Sequence, residues 1–173
     1  MTFISNLNSN PNNLAVNFKS ITLLHNTANN IACNVGTVLP LGKQTFLHGS
    51  DTYSVSNGVI TLPSGYYYLI RGGLGAGIST SYSTFAGLYV KYQFYDTNNS
   101  THIGRRGTLT WQENPLLEGG DDYAIAVVDA SSVSQNVDLR VVKKNGTGMT
   151  IDNTTYQYYT YAGHSRVEIW KWN

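Results

Sequence analysis

Residues Gly58-Val-Ile-Thr-Leu-Pro-Ser-Gly65-Tyr-Tyr-Tyr-Leu-Ile70 constrain this chain more than any other stretch. Asn57-Gly58 predicts a turn, because both residues tolerate positive φ without the usual Cβ clash. Val59 to Leu62 then predicts a short strand, stopped by Pro63, which has no N–H to give to a ladder. Pro63-Ser64-Gly65 turns the chain, and Tyr66 to Ile70 leaves as a second, aromatic-rich strand. The expectation is a local hairpin onto which further strands add.

The rest of the chain repeats this grammar. Phe18 to Leu24, Ile31 to Leu39, Gln44 to His48 and Thr52 to Val55 read as extended pieces ahead of the hairpin, with turns at Asn29-Asn30 and Pro40 to Gly42. Phe85 to Tyr95 is the longest candidate: Leu88, Val90, Tyr92 and Phe94 share one face, and Tyr89, Lys91, Gln93 and Tyr95 the other. His102 to Thr110 reads as a strand broken by Gly104 and Gly107. Tyr123 to Val128, Val137 to Val142, Thr155 to Tyr161 and Arg166 to Trp172 complete the set. No segment sustains a helical period for three turns, and short strands at roughly ten-residue spacing predict an all-β sandwich or barrel. Met1 to Asn17 is Asn-rich and interrupted by Pro11. It reads as an extended N-terminal arm, residues 1–17, before one domain at 18–173. The arm is either disordered or laid along a neighbour with Phe3, Ile4 and Leu7 in small pockets.

Composition narrows the function classes. The 173 residues are enough for one domain with a substantial core. Charged residues make up 12%, about half the usual share, and Asn, Ser, Thr, Gly and Tyr take their place. That surface suits a packed extracellular or assembly protein. A net charge of +1 offers no basic stripe for nucleic acid. Cys33 is the single cysteine, so it reads as a small buried hydrophobe. No basic-then-apolar N-terminus and no apolar run of about 20 residues is present, so the expectation is a soluble protein made in a cytoplasm, without a signal peptide or membrane insertion.

No motif in the sequence has the residue types and spacing of a recognised catalytic or metal site. Arg71-Gly-Gly-Leu-Gly-Ala-Gly77 lacks the following helix that a phosphate loop needs, and reads as a strand at a tight crossing. His25, His48, His102 and His164 lie on separate segments without ligand spacing. Glu113, Glu118, Asp121 and Asp122 surround a Gly-Gly turn but lack the alternating oxygen spacing of a calcium loop. No nucleophile elbow is present. No cofactor, metal or enzymatic activity is expected. Thirteen Tyr are the unusual supply. Alternation puts Tyr66 and Tyr68 on one side of their strand and Tyr67 on the other, so Tyr67, with Tyr159 and Tyr161, is a candidate contact to a ligand or partner.

Gly58-x-Ile60-x-Leu62-Pro63-x-Gly65-x-Tyr67-x-Leu69, followed by Arg166-Val-Glu-Ile-Trp-Lys171, resembles the jelly-roll domains of the tumour-necrosis-factor and complement globular-head superfamily. The nearest likeness is to phage virion versions, in fibre tips and capsid decoration proteins. The resemblance implies an antiparallel jelly-roll sandwich over Phe18 to Trp172, and a homotrimer with its last strand near the threefold axis. The residues of that strand agree. Val167 and Ile169 point one way, into a core. Glu168, Trp170 and Trp172 point the other, and two Trp left in water would expose roughly several hundred square ångströms of aromatic surface. A subunit interface on Glu168, Trp170 and Trp172 is therefore expected.

The expectation for function is a non-enzymatic homotrimeric virion protein that decorates and cements a bacteriophage capsid. Its partners would be copies of itself and the major capsid protein shell, the latter gripped by Phe3, Ile4 and Leu7. It would be synthesised in the host cytoplasm and carried on the virion surface. The alternative is a fibre tip that recognises a host-surface glycan, which the lack of a collagen-like or coiled-coil stalk weighs against.

Overall fold

Period-two alternation decides the layers of this protein. The computed structural model describes residues 17–28, 31–78, 88–111, 122–146, 149–151 and 165–173. Among these the regular structure is all β-strand, with no helix. In chain order the strands are β1 (Phe18–Asn26), β2 (Ile31–Ala32), β3 (Leu41–His48), β4 (Ser54–Ser56), β5 (Val59–Leu62), β6 (Tyr66–Gly73) and β7 (Ala76–Ile78). They continue with β8 (Leu88–Asp96), β9 (Thr101–Trp111), β10 (Ala124–Ala130), β11 (Gln135–Asn145), β12 (Met149–Ile151) and β13 (Arg166–Trp172).

Every ladder is antiparallel. Ten strands run in the order β3-β1-β13-β6-β10-β9-β8-β11-β5-β4, and β2-β12-β7 form a small separate sheet. The junction between β10 and β9 is thin: one strand pair, Ile125 with Arg105, and one bridge just before β10, Asp122 with Thr108. The sheet folds there into two halves that face each other, a sandwich close to a barrel and compatible with a jelly roll. Gly72 of β6 reports the closeness of the halves: a Cβ there would lie 2.6 Å from Leu139 of β11 and 3.0 Å from Phe94 of β8. The glycine-rich segment is thus a tight crossing.

The core lies between the halves. Leu24, Val167, Ile169, Tyr68, Ile70, Ala126 and Val128 fill it from one side, and Ile60, Leu62, Val90, Tyr92, Phe94, Leu109, Val137 and Leu139 from the other. Full burial of such an aliphatic or aromatic side chain is worth roughly 1.5–3 kcal/mol relative to exposure. Cys33 is among the fully buried residues. Leu88, Val90, Tyr92 and Phe94 are all buried, so the face assigned to that strand from the sequence is the inner one.

Three sequence expectations need correction. The stretch from Gly58 to Ile70 is not a hairpin: β5 pairs with β4 and β11, whereas β6 pairs with β13 and β10. Asn57-Gly58 does make a turn, at φ 51° and 80°, but it joins β4 to β5. Pro63-Ser64-Gly65 instead carries the chain from one half of the sandwich to the other. β9 is not broken at Gly104 and Gly107. It runs through both, and the glycines mark a register shift instead: Gly107 faces Tyr92 and Ile103 faces Phe94, with Gly104 between them. Ile31 to Leu39 is not one extended piece: a turn at Val35-Gly36, with Gly36 at φ 90°, separates Ile31–Ala32 of β2 from the isolated bridge at Val38. The N-terminal arm and the proposed strand at Thr155 to Tyr161 lie outside the described residues.

Candidate self-association face

The outer face of β3-β1-β13-β6-β10 is built by the residues that alternate with the core. On β1 these are Ile21, Leu23 and His25, on β13 Arg166, Glu168, Trp170 and Trp172, on β6 Tyr67, Leu69 and Arg71, and on β10 Ile125, Val127 and Asp129. Register lines them into rows across the sheet. Ile21, Trp170, Leu69 and Val127 make a wholly apolar row over four strands. The next row in one direction is Leu23, Glu168, Arg71 and Ile125. The next in the other direction holds Phe18, Trp172, Tyr67 and Asp129. Three parallel rows of this kind form a band about 14 Å wide across four strands spaced about 4.8 Å apart.

Aromatic rings gather at the Trp172 end. Trp170 and Trp172 stack at 6.5 Å with planes 19° apart, as residues two apart on one strand face must. Phe18 sits against both, at 6.2 and 5.8 Å, and stacks on His48 at 5.2 Å. Even so, the face remains open. Val127 is 74% exposed, and Phe18 and Tyr67 are 40% exposed. Val127 is the exposed member of an apolar row whose other three residues are half-buried, and such a row beside a cluster of aromatic rings is the kind of patch that marks an interaction surface.

The opposite end of the face is ionic. Glu168 is buried and receives Arg166 at 3.2 Å and Arg71 at 3.7 Å. The Arg71 guanidinium also lies over the Tyr123 ring at 3.7 Å, a cation–π contact that fixes its direction. A second polar group lies inside the sandwich. Lys171 follows Val167 and Ile169 on the inward face, where it meets Asp51 at 3.0 Å and the Tyr66 ring at 3.8 Å. Ser20 donates to the other Asp51 oxygen at 2.5 Å. Burial pushes the Asp51 carboxyl upward, but the Ser20 hydroxyl and Lys171 outweigh it and hold it below its ordinary value.

Glu168, Trp170, Trp172 and Tyr67 thus share one surface. Phe3, Ile4, Leu7, Tyr159 and Tyr161 lie outside the described residues, as do Glu113, Glu118, Asp121 and His164. His25, His48 and His102 stand on three different strands, and Asp122 is paired with Arg105 at 2.5 Å. No group of three or more His, Cys, Asp or Glu side chains is gathered for a metal among the described residues. Phe18, Ile21, Leu69 and Val127 were missed as members of the face. Their positions follow from alternation, but their assembly into one row needs the order of β1, β13, β6 and β10, which local patterning does not contain. The Lys171–Asp51 pair was missed because its members are 120 positions apart. No family model matches this chain, and no curated protein matches it in sequence.

Proposed function

We propose that this protein is a non-enzymatic structural component of a bacteriophage virion: a homotrimer of tumour-necrosis-factor-like jelly rolls that decorates and cements the capsid. The observation that carries the reading is the open apolar face around Trp170, Leu69 and Val127, with Val127 at 74% exposure. Strand order supports the fold assignment. Counting the eight strands β1, β5, β6, β8, β9, β10, β11 and β13 as one to eight, the halves read 1-8-3-6 and 5-4-7-2, in keeping with two interleaved Greek keys. The neutral, Tyr- and Asn-rich composition fits a protein whose task is packing. Copies of the chain meet through the apolar face. The arm bearing Phe3, Ile4 and Leu7 grips the major capsid protein shell, three arms acting together through effective concentration. Its site of action is the virion surface.

The test is co-sedimentation with expanded capsid shells that lack the protein, comparing the full chain with a variant deleted for residues 1–17. The proposal expects saturable binding by the full chain and loss of binding by the deletion. Absence of binding by the full chain, together with binding to a glycan array, would replace it with the fibre-tip reading.

A further inference from the structure

The apolar face carries charges of opposite sign at its two ends. At one end, Glu168 serves two cations, Arg166 at 3.2 Å and Arg71 at 3.7 Å. Among the described residues, two guanidiniums around this one carboxylate leave a surplus positive charge, and the Arg71 contact is too long for a hydrogen bond. The Arg71 side chain is 40% exposed and held on the face by Tyr123. At the other end, Asp129 accepts hydrogen bonds from the Ser131 backbone N–H at 2.9 Å and hydroxyl at 2.6 Å. No described cation lies within ion-pair distance of it. Asp129 stands opposite Tyr67, four residues along β6 from Arg71, or about 13 Å. Leu69 and Val127 fill the interval.

An apolar partner seated on this face would strip water from a surplus cation and from a lone carboxylate, and neither would gain a counter-charge. A second copy supplies both. We infer that the occupant of the face is another copy of this chain, and that Asp129 of each copy pairs with Arg71 of the next, with Leu69 and Val127 packed between the two ends. Glu168 keeps Arg166, so each guanidinium then has its own carboxylate. The inference rests on the reading of this surface as the self-association face and adds the contact that sets its direction and offset. Apolar packing alone does not fix either one. Charge pairing does.

The experiment is a double-mutant cycle on the full chain: Arg71→Gln, Asp129→Asn and the two combined, with dissociation constants from sedimentation equilibrium in low salt. Circular dichroism confirms that each variant is folded. Each single change is expected to weaken assembly about tenfold, and the double variant about tenfold as well, because the two changes remove one contact. Asp129→Lys, at an exposed position, is expected to weaken assembly further through repulsion. A wild type that assembles while the two changes multiply to about a hundredfold, or while Asp129→Asn and Asp129→Lys leave the constant unchanged, overturns the pairing and leaves the self-association reading standing. A monomeric wild type overturns both.

Discussion

Lys171 and Asp51, 120 positions apart, close a 3.0 Å ion pair at the interior end of the sandwich. Lys171 comes from the last strand and Asp51 from the loop after β3, so the pair ties the end of β13 to the edge of its own sheet. The same carboxylate takes the Ser20 hydroxyl, and its backbone carbonyl takes the Thr22 hydroxyl at 3.0 Å.

Removing Lys171 leaves Asp51 without its cation. Lys171→Met is expected to cost about 1–2 kcal/mol at pH 7, below the range for fully buried pairs because Asp51 is partly exposed. The Asp51 carboxyl is held below its ordinary value. Its contribution is therefore complete above the unfolded-state value near 4 and lost as pH falls through the lower folded value. Urea midpoints for wild type and variant should differ at pH 7 and converge near pH 2. An equal gap at both pH values would remove the ion pair as the cause.

Alkali should act through Tyr53 and Tyr68. Burial pushes the Tyr53 phenol up to about 12 and raises Tyr68 further. In the unfolded chain both ionise near 10, so the stability they contribute is complete below pH 10 and is lost as pH rises through the folded values. Ultraviolet titration of tyrosinate should show a late phase that coincides with loss of β-sheet circular dichroism. Tyr53→Phe should shift that loss to higher pH. Ionisation of all Tyr near pH 10 in a folded protein would contradict this.

Gly104 holds β9 against β10 at the narrow junction of the two halves. Its φ is 69°, and a Cβ there would lie 2.1 Å from the Ile125 carbonyl oxygen and 2.6 Å from the Ala126 side chain. Gly104→Ala combines left-handed strain with a clash against backbone, and is expected to cost at least about 2 kcal/mol. A denaturation midpoint within error of wild type would show that the junction yields more readily than its spacing implies.

The open face should tolerate change without loss of fold. Val127→Asp places a carboxylate in the middle of the apolar row at a position 74% exposed in the single chain. Its thermal midpoint as a monomer should stay within about 0.5 kcal/mol equivalent of the parent fold, while assembly is lost. Replacing Trp170 and Trp172 with Ser should also abolish assembly, with some loss of stability because both rings are half-buried against Phe18.

Strand positions were largely legible in the sequence, and strand partners were not. Arg166 to Trp172 and Val59 to Leu62 were read at their observed bounds, because alternation, Pro63 and the Asn57-Gly58 turn are local signals. The same local signals misled at Pro63 to Gly65. A turn between two strands predicts a hairpin only if the strands then pair, and here the turn exchanges one half of the sandwich for the other. Glu168, Trp170 and Trp172 were placed opposite the core by parity alone. Lys171, by the same parity, faces inward, and what makes that tolerable is Asp51, a residue that no local pattern connects to it. The apolar row was invisible for a similar reason: Ile21, Leu69, Val127 and Trp170 come from four strands whose adjacency arises from non-local pairing.

The central claim is that copies of this chain meet through the Trp170 face. Sedimentation equilibrium of the wild-type protein at micromolar concentration in moderate salt tests it most directly, with Val127→Asp run alongside. The wild type is expected to sediment at three times 19.0 kDa and the folded Val127→Asp variant at 19.0 kDa. A wild-type protein that sediments at 19.0 kDa throughout that range would contradict it.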